Sequence, residues 1–451
     1  MGEFLLKSRR MLVNGQLAPR TARIADGRFV SVTAADAPSP EGMELLDVGD
    51  LAVLPGLVDT HAHLNEPGRT EWEGFLSGTS AAAAGGITTL VDMPLNSIPA
   101  TTSLASLQVK AQAANGHCAV DYGFWGGVVP GNTDELEPMA RAGVVGFKCF
   151  LCPSGVEEFE HVTRADLERA MPILAALKFP LIVHAELEDD RVPAWSQARA
   201  YSDYLASRPR RFENEAIRMM VELCRQTGCR VHIVHLSSSD ALEDVRRARE
   251  EGLPFSAETC PHYLTFASEQ IAEGATDFKC APPIREAENR ERLWQGLKDG
   301  DLSMVVSDHS PCTPSLKRPD SGDFQKAWGG ISSLQLSLPS VWSGAKAREI
   351  PLERLGSWMA FEPATLVGLS GKKGALAPGY DADFVVFNPE ATFQVDPAAL
   401  RHRHPVTPYA YRQLTGKVER TYLRGECIFD GTPRARQPRG ERLSRLGKSG
   451  E

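Results

Sequence analysis

Long apolar runs are missing from this 451-residue sequence. None reaches the roughly 18 residues that a membrane-crossing helix needs, so no membrane association is expected. The first residues, Met-Gly-Glu-Phe-Leu-Leu-Lys, lack the apolar core and cleavage site of a secretory signal. We therefore expect a cytoplasmic protein.

An excess of positive charge is also absent. The formal net charge is −9 at pH 7, with 49 Lys and Arg against 58 Asp and Glu, and no basic patch stands out. Proteins that bind nucleic acid normally carry such a patch. The sequence thus argues against a nucleic-acid partner.

Cysteine is sparse, with nine residues in 451, and the number is odd. Both facts argue against a disulfide framework. Cys149 and Cys152 form a CxxC, but its redox and zinc interpretations usually need a helix start or a second pair. Here the pair ends a predicted strand and no second CxxC follows. We expect buried free thiols in general, and loop residues near an active site for this pair.

Strand-like apolar runs alternate with helix-like stretches through the middle of the chain. The eight runs are Gly56–Leu64, Ile87–Pro94, Val120–Val129, Val144–Phe150, Pro180–Glu186, Arg230–Ser237, Pro254–Tyr263 and Leu302–Pro311. The helix-like stretches include Glu71–Ala84, Ala165–Leu177, Glu213–Thr227 and Ser239–Glu250. Eight successive βα units predict an α/β fold with a (β/α)8 TIM barrel over residues 55–371.

Both flanks of this region contain only short β-like runs, such as Arg28–Val32 before it and Asp383–Phe387 after it. Neither flank alone has enough apolar surface for a core. We therefore predict one small, β-sandwich-like domain that residues 1–54 and 372–432 build together. Residues 433–451 are rich in Arg, Gly and Ser, which predicts a loose, flexible tail.

Metal-binding side chains stand at the ends of the predicted strands, where barrel enzymes place their sites. Imidazole and carboxylate groups suit Zn²⁺, Fe²⁺, Co²⁺ or Mn²⁺, so the pattern predicts a metal site. His232 is expected in the outer layer, and His309 is expected to point away from the site. The candidate ligands are His61 and His63 on the first strand, His184 on the fifth, His235 on the sixth and Asp308 on the eighth.

Lys148 lies on the fourth predicted strand, in Gly-Phe-Lys-Cys-Phe. A charged lysine in a barrel mouth is costly, and desolvation lowers its pKa. The residues alone leave two interpretations open. The side chain turns outward or joins an ion pair, or neutral Lys148 adds CO₂ and becomes a carbamate between two metals.

Two motifs resemble those of the cyclic amidohydrolases, a group in the amidohydrolase superfamily that includes dihydroorotases, dihydropyrimidinases (hydantoinases) and allantoinases. They are Pro55-Gly-Leu-Val-Asp-Thr-His61-Ala-His63 and Gly374-Ala-Leu-Ala-Pro-Gly-Tyr-Asp-Ala-Asp383. The resemblance covers nearly the whole chain, to about residue 430. It implies a hydrolase with two divalent metal ions, zinc before iron, cobalt or manganese, and a homotetramer.

The same resemblance implies roles for single residues. His61, His63 and Asp308 would bind one metal, and His184 and His235 the other. Lys148, carboxylated by CO₂ to N6-carboxylysine, would bridge them. Asp308 would also carry the proton of the reaction.

Further motifs resemble the allantoinases within this group: Lys148-Cys-Phe-Leu-Cys-Pro-Ser-Gly155, Ser307-Asp-His-Ser-Pro-Cys312 and Lys326-Ala-Trp-Gly-Gly-Ile331. A hydantoinase usually has a tyrosine shortly after the bridging lysine, where this chain has Cys152 and Pro153. A dihydroorotase usually has an arginine after its HxH pair, where this chain has Asn65. The resemblance therefore implies hydrolysis of the hydantoin ring of allantoin to allantoate, in purine catabolism. The alternatives are a hydantoinase or dihydropyrimidinase, a dihydroorotase, and an inactive scaffold homologue.

A neutral cyclic ureide needs hydrogen bonds rather than a counter-charge. Loop structure is an equally good explanation for most of the residues that could supply them. The candidate substrate-binding residues are Ser310, Asn65, Asn96, Cys280, Ala281, Trp328 and Gly329.

Overall fold

The computed structural model describes residues 2–37, 42–432 and 437–445. The strands are β1 (Phe4–Val13), β2 (Gln16–Ala25), β3 (Arg28–Ala34), β4 (Glu44–Asp47), β5 (Ala52–Pro55), β6 (Leu57–Ala62), β7 (Ile87–Asp92), β8 (Asp121–Phe124), β9 (Gly126–Gly127), β10 (Phe147–Phe150), β11 (Leu181–His184), β12 (Val231–Ile233), β13 (Phe255–Thr259), β14 (Met304–Val305), β15 (Phe384–Gln394), β16 (Gln413–Leu423) and β17 (Glu426–Phe429).

Helices follow most of the central strands. They are α1 (Phe75–Ala84), α2 (Leu104–Ala114), α3 (Thr133–Arg141), α4 (Arg164–Leu177), α5 (Tyr201–Ser207), α6 (Arg210–Thr227), α7 (Leu242–Glu250), α8 (Pro261–Thr265), α9 (Ala287–Asp299), α10 (Ser337–Lys346), α11 (Glu353–Gly356) and α12 (Glu362–Leu366), with a π-helical turn at Ser357–Phe361. In the described residues, none of them is both long and apolar enough to cross a membrane.

The central strands β6 to β14 are parallel and lie beside one another in chain order, β6 to β8 in one set and β9 to β14 in another. Only Trp125 separates β8 from β9, and its indole N–H donates to the Thr60 carbonyl at 2.9 Å. A parallel bridge between Ala62 and His309 joins the two ends of the series. The predicted run Val120–Val129 contains both β8 and β9, and each of the other seven runs contains one of these strands. The predicted α/β class is confirmed.

Local signals explain the helices between them. α4 begins after Thr163, whose hydroxyl accepts from the Asp166 N–H while Asp166 reaches back to the Thr163 N–H. It ends at Lys178, which has the left-handed conformation common at helix ends. Leu167, Met171 and Leu174 recur at helical spacing and are buried. The helix thus buries one face against the strands.

The remaining strands form one sheet from both chain ends, in the order β17-β16-β15-β5-β1-β2-β3, with β4 also paired to β1. The link between the ends is the antiparallel pairing of β15 with β5, where Phe384 lies opposite Pro55. Phe29 of β3 contacts Phe384 with ring centroids 6.4 Å apart, although three strands separate β3 from β15. The sheet therefore curls over a shared apolar cluster.

The segment expected to be a loose tail is partly ordered. The Leu443 N–H donates to the Tyr122 carbonyl at 2.7 Å, and the Tyr122 N–H donates to the Glu441 carbonyl at 3.0 Å. Leu443 is buried beside Val91 and Val145. The prediction is wrong for residues 437–445, because their backbone forms hydrogen bonds with Tyr122 of β8. Residues 433–436 and 446–451 lie outside the described residues.

Candidate metal centre

A cavity of about 330 Å³ opens where the central strands end. Strand direction explains its composition, because parallel strands in one series deliver their carboxyl ends to the same side. All six residues predicted as metal ligands line it: His61, His63, Lys148, His184, His235 and Asp308.

Asp308 and two histidines form the first group of possible ligands. The His61 Nε2 lies 3.1 Å from the Asp308 Oδ1, and the His63 Nε2 lies 3.7 Å from the same oxygen. The three ligand atoms all lie within 4.8 Å of one another. Burial is the largest influence on His63 and holds its pKa well below the usual value. His63 is therefore a neutral imidazole, the form that binds a metal.

His184 and His235 form a second group. The His184 Nδ1 lies 2.9 Å from the His235 Nε2, and both rings are buried. Burial, followed by the neighbouring His184, keeps the pKa of His235 well below its usual value. His235 lies two residues past β12 with a φ of 40°, which turns its ring toward the cavity.

Lys148 lies on β10 with its side chain wholly buried, so it has not turned outward to solvent. Its Nζ has no hydrogen-bond partner among the described residues. Burial lowers the pKa of Lys148 to about 8 against the opposing effect of Asp308 and Glu258. An amine with that pKa is partly neutral near pH 7 to 8, which is the form that can add CO₂.

Glu258 contacts two histidines of this centre, and no motif or spacing in the sequence predicts that role. Its Oε1 lies 2.5 Å from the His61 Nδ1 and its Oε2 lies 3.0 Å from the His232 Nε2. Burial opposes the charged form, but His61 and His232 keep the pKa of Glu258 at about 2. An ionised carboxylate on the Nδ1 side leaves the His61 Nε2 free to face a metal.

His232 therefore lies in the interior, and its predicted place in the outer layer is wrong. The expectation assumed that residues three apart on a strand face opposite ways. β12 ends at Ile233, and the positive φ of His235 breaks the alternation. His309 does point away from the cavity, toward the Glu73 Oε2 at 3.1 Å.

Glu186 gives His184 the same kind of support. Its Oε2 lies 2.7 Å from the His184 Nε2 and accepts from Arg208 at 2.6 Å. Burial opposes the charged form of Glu186, but the neighbouring Arg208 and His184 lower its pKa to about 2. The His184 Nδ1 is then the nitrogen available for a ligand bond.

These donors fit divalent metal ions. The Lys148 Nζ and the His235 Nδ1 are buried and have no hydrogen-bond partner among the described residues, and the His61 Nε2 has only the nearby Asp308 carboxylate. Buried polar groups without partners are costly, and they lie beside the carboxylate of Asp308 and two further imidazoles. Imidazole and carboxylate donors suit zinc and its neighbours in the first transition row.

The predicted substrate-binding residues divide into two groups. Ser310, Asn96, Ala281, Trp328 and Gly329 line the cavity. Asn65 does not, because its side chain is buried and donates to the Pro311 carbonyl at 3.3 Å. Cys280 is also buried outside the lining, and its carbonyl accepts from the Tyr204 hydroxyl at 2.6 Å. The structure therefore does not support a direct substrate contact for Asn65 or Cys280.

Asn96 has a second contact that the sequence could not show. Its side-chain amide lies 3.4 Å from the His63 Nδ1. If His63 binds a metal through Nε2, its Nδ1 carries the proton, and the amide oxygen is the better partner. Asn96 thus contacts a candidate ligand as well as lining the cavity.

Among the polar residues of the cavity wall, Tyr204, Arg208 and Lys279 belong to no predicted motif or site. They belong to α5, the turn after it and the segment before Cys280. No strand-end position or spacing marks them in the sequence. Only the packing of α5 against the loop around residue 280 brings them to the cavity.

Comparison with known proteins identifies the group to which this architecture belongs. Residues 52–428 match the amidohydrolase family. The chain belongs to the amidohydrolase family. The predicted resemblance is thereby confirmed.

Individual relatives of this amidohydrolase are similar over nearly their whole length. It is 50% identical over 446 residues to the allantoinase of Streptomyces avermitilis, which covers 98% of this chain and 99% of that protein. It is 46% identical over 392 residues to the allantoinase of Saccharomyces cerevisiae, covering 85% and 84%. The solved L-hydantoinase (dihydropyrimidinase) of Arthrobacter aurescens superposes with a TM-score of 0.92 at 31% identity, covering 99% and 100%.

Proposed function

We propose that this chain is an allantoinase, which hydrolyses an amide bond of the hydantoin ring of allantoin and releases allantoate. The observation that carries the proposal is that one cavity brings together six buried side chains: His61, His63, Lys148, His184, His235 and Asp308. Relatives named allantoinase at 50% and 46% identity support this choice of substrate.

The fold that delivers these residues is, in this proposal, a (β/α)8 barrel beside the small sheet of both chain ends. The parallel bridge between Ala62 and His309, which joins the two ends of the series from β6 to β14, supports it. We also propose that the protein acts in the cytoplasm as a homotetramer.

Two divalent ions are proposed to occupy the centre, with zinc first and iron, cobalt or manganese as alternatives. His61, His63 and Asp308 would hold one and His184 and His235 the other, with Lys148 between them as a carbamate. When bound, such ions lower the pKa of water and polarise a carbonyl.

Asp308 is proposed to move the proton. Its Oδ1 accepts from the Ser310 hydroxyl at 2.8 Å, which fixes the carboxylate toward the cavity. There it can take a proton from the attacking water and deliver it to the ring nitrogen that leaves. Ser310 and the peptide groups of Trp328 and Gly329 would hold the ring by hydrogen bonds.

Hydantoinase activity is the second candidate, and the close superposition on the Arthrobacter aurescens enzyme favours it. A substrate panel separates the two. For protein with one fixed metal loading, we expect kcat/KM for allantoin to exceed that for unsubstituted hydantoin and for dihydroorotate by about a hundredfold, or roughly 2.7 kcal/mol. Dihydroorotate is included because Lys279 gives the cavity a cation, which weakens the argument drawn from Asn65.

The outcomes are distinct. Faster hydrolysis of hydantoin would assign the chain to the hydantoinases, and faster hydrolysis of dihydroorotate to the dihydroorotases. Elemental analysis of the same sample should give close to two transition metals per chain. Undiminished activity in metal-free protein would contradict the proposed centre.

A further inference from the structure

Lys279 is an unusual residue in the cavity wall. It is half-buried, and its Nζ donates to the Ala327 carbonyl at 2.6 Å and, more weakly, to the Gln325 carbonyl at 3.4 Å. No ion pair recorded among the described residues includes it. Its ammonium lies 5.2 Å from the centroid of the Tyr204 ring. Burial, followed by Lys317 and Arg208, lowers its pKa to about 8.

Apart from Lys148, the other cations of the cavity wall are Arg208 and Lys326, and both lie near carboxylates. Arg208 donates to Glu186 at 2.6 Å and to Glu188 at 3.1 Å. Lys326 is largely exposed and lies 3.6 Å from Asp323. Among the described cavity residues, Lys279 is thus the partly buried cation whose partners are neutral carbonyls.

Lys317 provides a comparison, because it holds the same loop but is absent from the cavity lining. Its Nζ is buried and donates to the carbonyls of Gly330, Trp328 (3.1 Å) and Lys279 (3.4 Å). Those three carbonyls use all three N–H groups of an ammonium. Lys317 therefore holds the loop in place, and its ammonium has no free N–H group for a ligand.

Lys279 differs in that respect. One of its N–H groups has a short bond to Ala327, a second has a long bond to Gln325, and the third has no acceptor within the part of the chain that the structure describes. The same residue lines the cavity together with Trp328 and Gly329. A donor of the cavity wall that lacks a protein acceptor is available to an acceptor on the ligand, and a ligand without that acceptor loses the hydrogen bond.

Resting on the proposed function, we propose that Lys279 is a specificity-determining residue that donates a hydrogen bond to the carbonyl of the ureido arm of allantoin. The arm is neutral and carries an oxygen that accepts hydrogen bonds, as an ammonium donor requires. Hydantoin lacks the arm and would leave this donor unpaired. Sites built to bond a polar substituent discriminate strongly against analogues that lack it.

The test compares Lys279→Met with the wild-type enzyme on allantoin and on hydantoin. We expect kcat/KM for allantoin to fall about 10- to 100-fold, as for loss of a hydrogen bond to a charged group. The kcat/KM for hydantoin should change by less than about threefold, because hydantoin lacks the arm that accepts from this donor. Lys317→Met is the matched comparison, and it should lower kcat/KM for allantoin and for hydantoin by a similar factor. Lys298→Met, on the exposed face of α9, controls for loss of charge.

Each result decides a separate claim. An equal fall on both substrates for Lys279→Met would show that Lys279, like Lys317, only holds the loop, and would overturn the inference. An unchanged rate on allantoin would overturn it as well. Wild-type enzyme that does not prefer allantoin would instead contradict the proposed function, before any variant is compared.

Discussion

At the scale of single residues, Lys148 occupies the most demanding position in the cavity. Its amine is wholly buried and has no partner among the described residues, whereas buried polar groups are normally hydrogen-bonded. A carbamate between two metal ions would satisfy this position, and no Asp or Glu occurs on β10 to take that place.

Replacement of Lys148 tests this directly. Lys148→Ala should lose the paired metals and most activity, because the shared ligand disappears. A short carboxylic acid such as propionate should restore part of both by entering the vacated space. Lys298→Ala is the control. The measurements are metal content by elemental analysis and kcat. Normal metal content and a normal rate in Lys148→Ala would exclude a bridging role.

Glu258 acts on the centre through other residues. Glu258→Gln keeps the size of the side chain but removes the charge that fixes the His61 Nδ1 and the His232 Nε2. Loss of such a supporting carboxylate typically costs about 10- to 100-fold in metal affinity or activity. A competition titration with a metal chelator measures the metal affinity of each variant. Exposed Glu273→Gln is the control, and equal affinities in both variants would contradict the role.

At the scale of elements, residues 437–445 complete the edge of β8. Tyr122 exchanges backbone hydrogen bonds with Glu441 and Leu443. The Gly440 N–H donates to the Cys118 carbonyl at 2.8 Å, and a Cβ on Gly440 would lie 1.8 Å from the Val120 carbonyl oxygen. A glycine is needed at this close approach, so the segment is built to pack there.

Leu443 provides the measurable consequence. Leu443→Ala removes a buried side chain from the cluster with Val91 and Val145, which should lower the free energy of unfolding by about 2 to 4 kcal/mol. Gln437→Ala, exposed in the same segment, should have little effect. Urea unfolding followed by fluorescence compares the two. Identical midpoints would mean that the segment does not pack as described.

At the scale of the whole molecule, one buried cation joins the small sheet to the central strands. The Lys373 Nζ donates to Asp121 at the start of β8 (2.6 Å) and to Asp383 next to β15 (2.7 Å), and lies 2.9 Å from Asp381. Arg424, after β16, also pairs with Asp121. Burial opposes every one of these charges, so the network is stable only when it is complete.

Removal of this cation should therefore be severe. Lys373→Met leaves buried carboxylates without their main partner, and we expect a loss of about 3 to 5 kcal/mol in the free energy of unfolding. Lys372→Met, at the neighbouring position, is the matched control. Thermal unfolding at one scan rate makes the comparison. A small, equal effect of both substitutions would show that the network does not join the two parts.

Local patterns in the amino-acid sequence predict the candidate ligands and the order of the central strands, and the structure brings those candidates to one cavity. His61, His184, His235 and Asp308 could be found because they stand at the ends of apolar runs, and parallel strands deliver those ends to one side. Periodicity within a few residues carries that information. The strong family motifs around His61 and Asp383 add the likeness of the whole chain to amidohydrolases.

Which other residues reach the cavity depends on long-range packing, and local sequence patterns do not predict it. Lys279 and Arg208 line it, Asn65 does not, His232 faces the interior and residues 437–445 pair with β8. Each of these outcomes depends on contacts between segments tens to hundreds of residues apart, or on a single backbone angle such as the φ of His235. No local pattern records them, because the free energy of packing, and not the propensity of the segment, selects the final position.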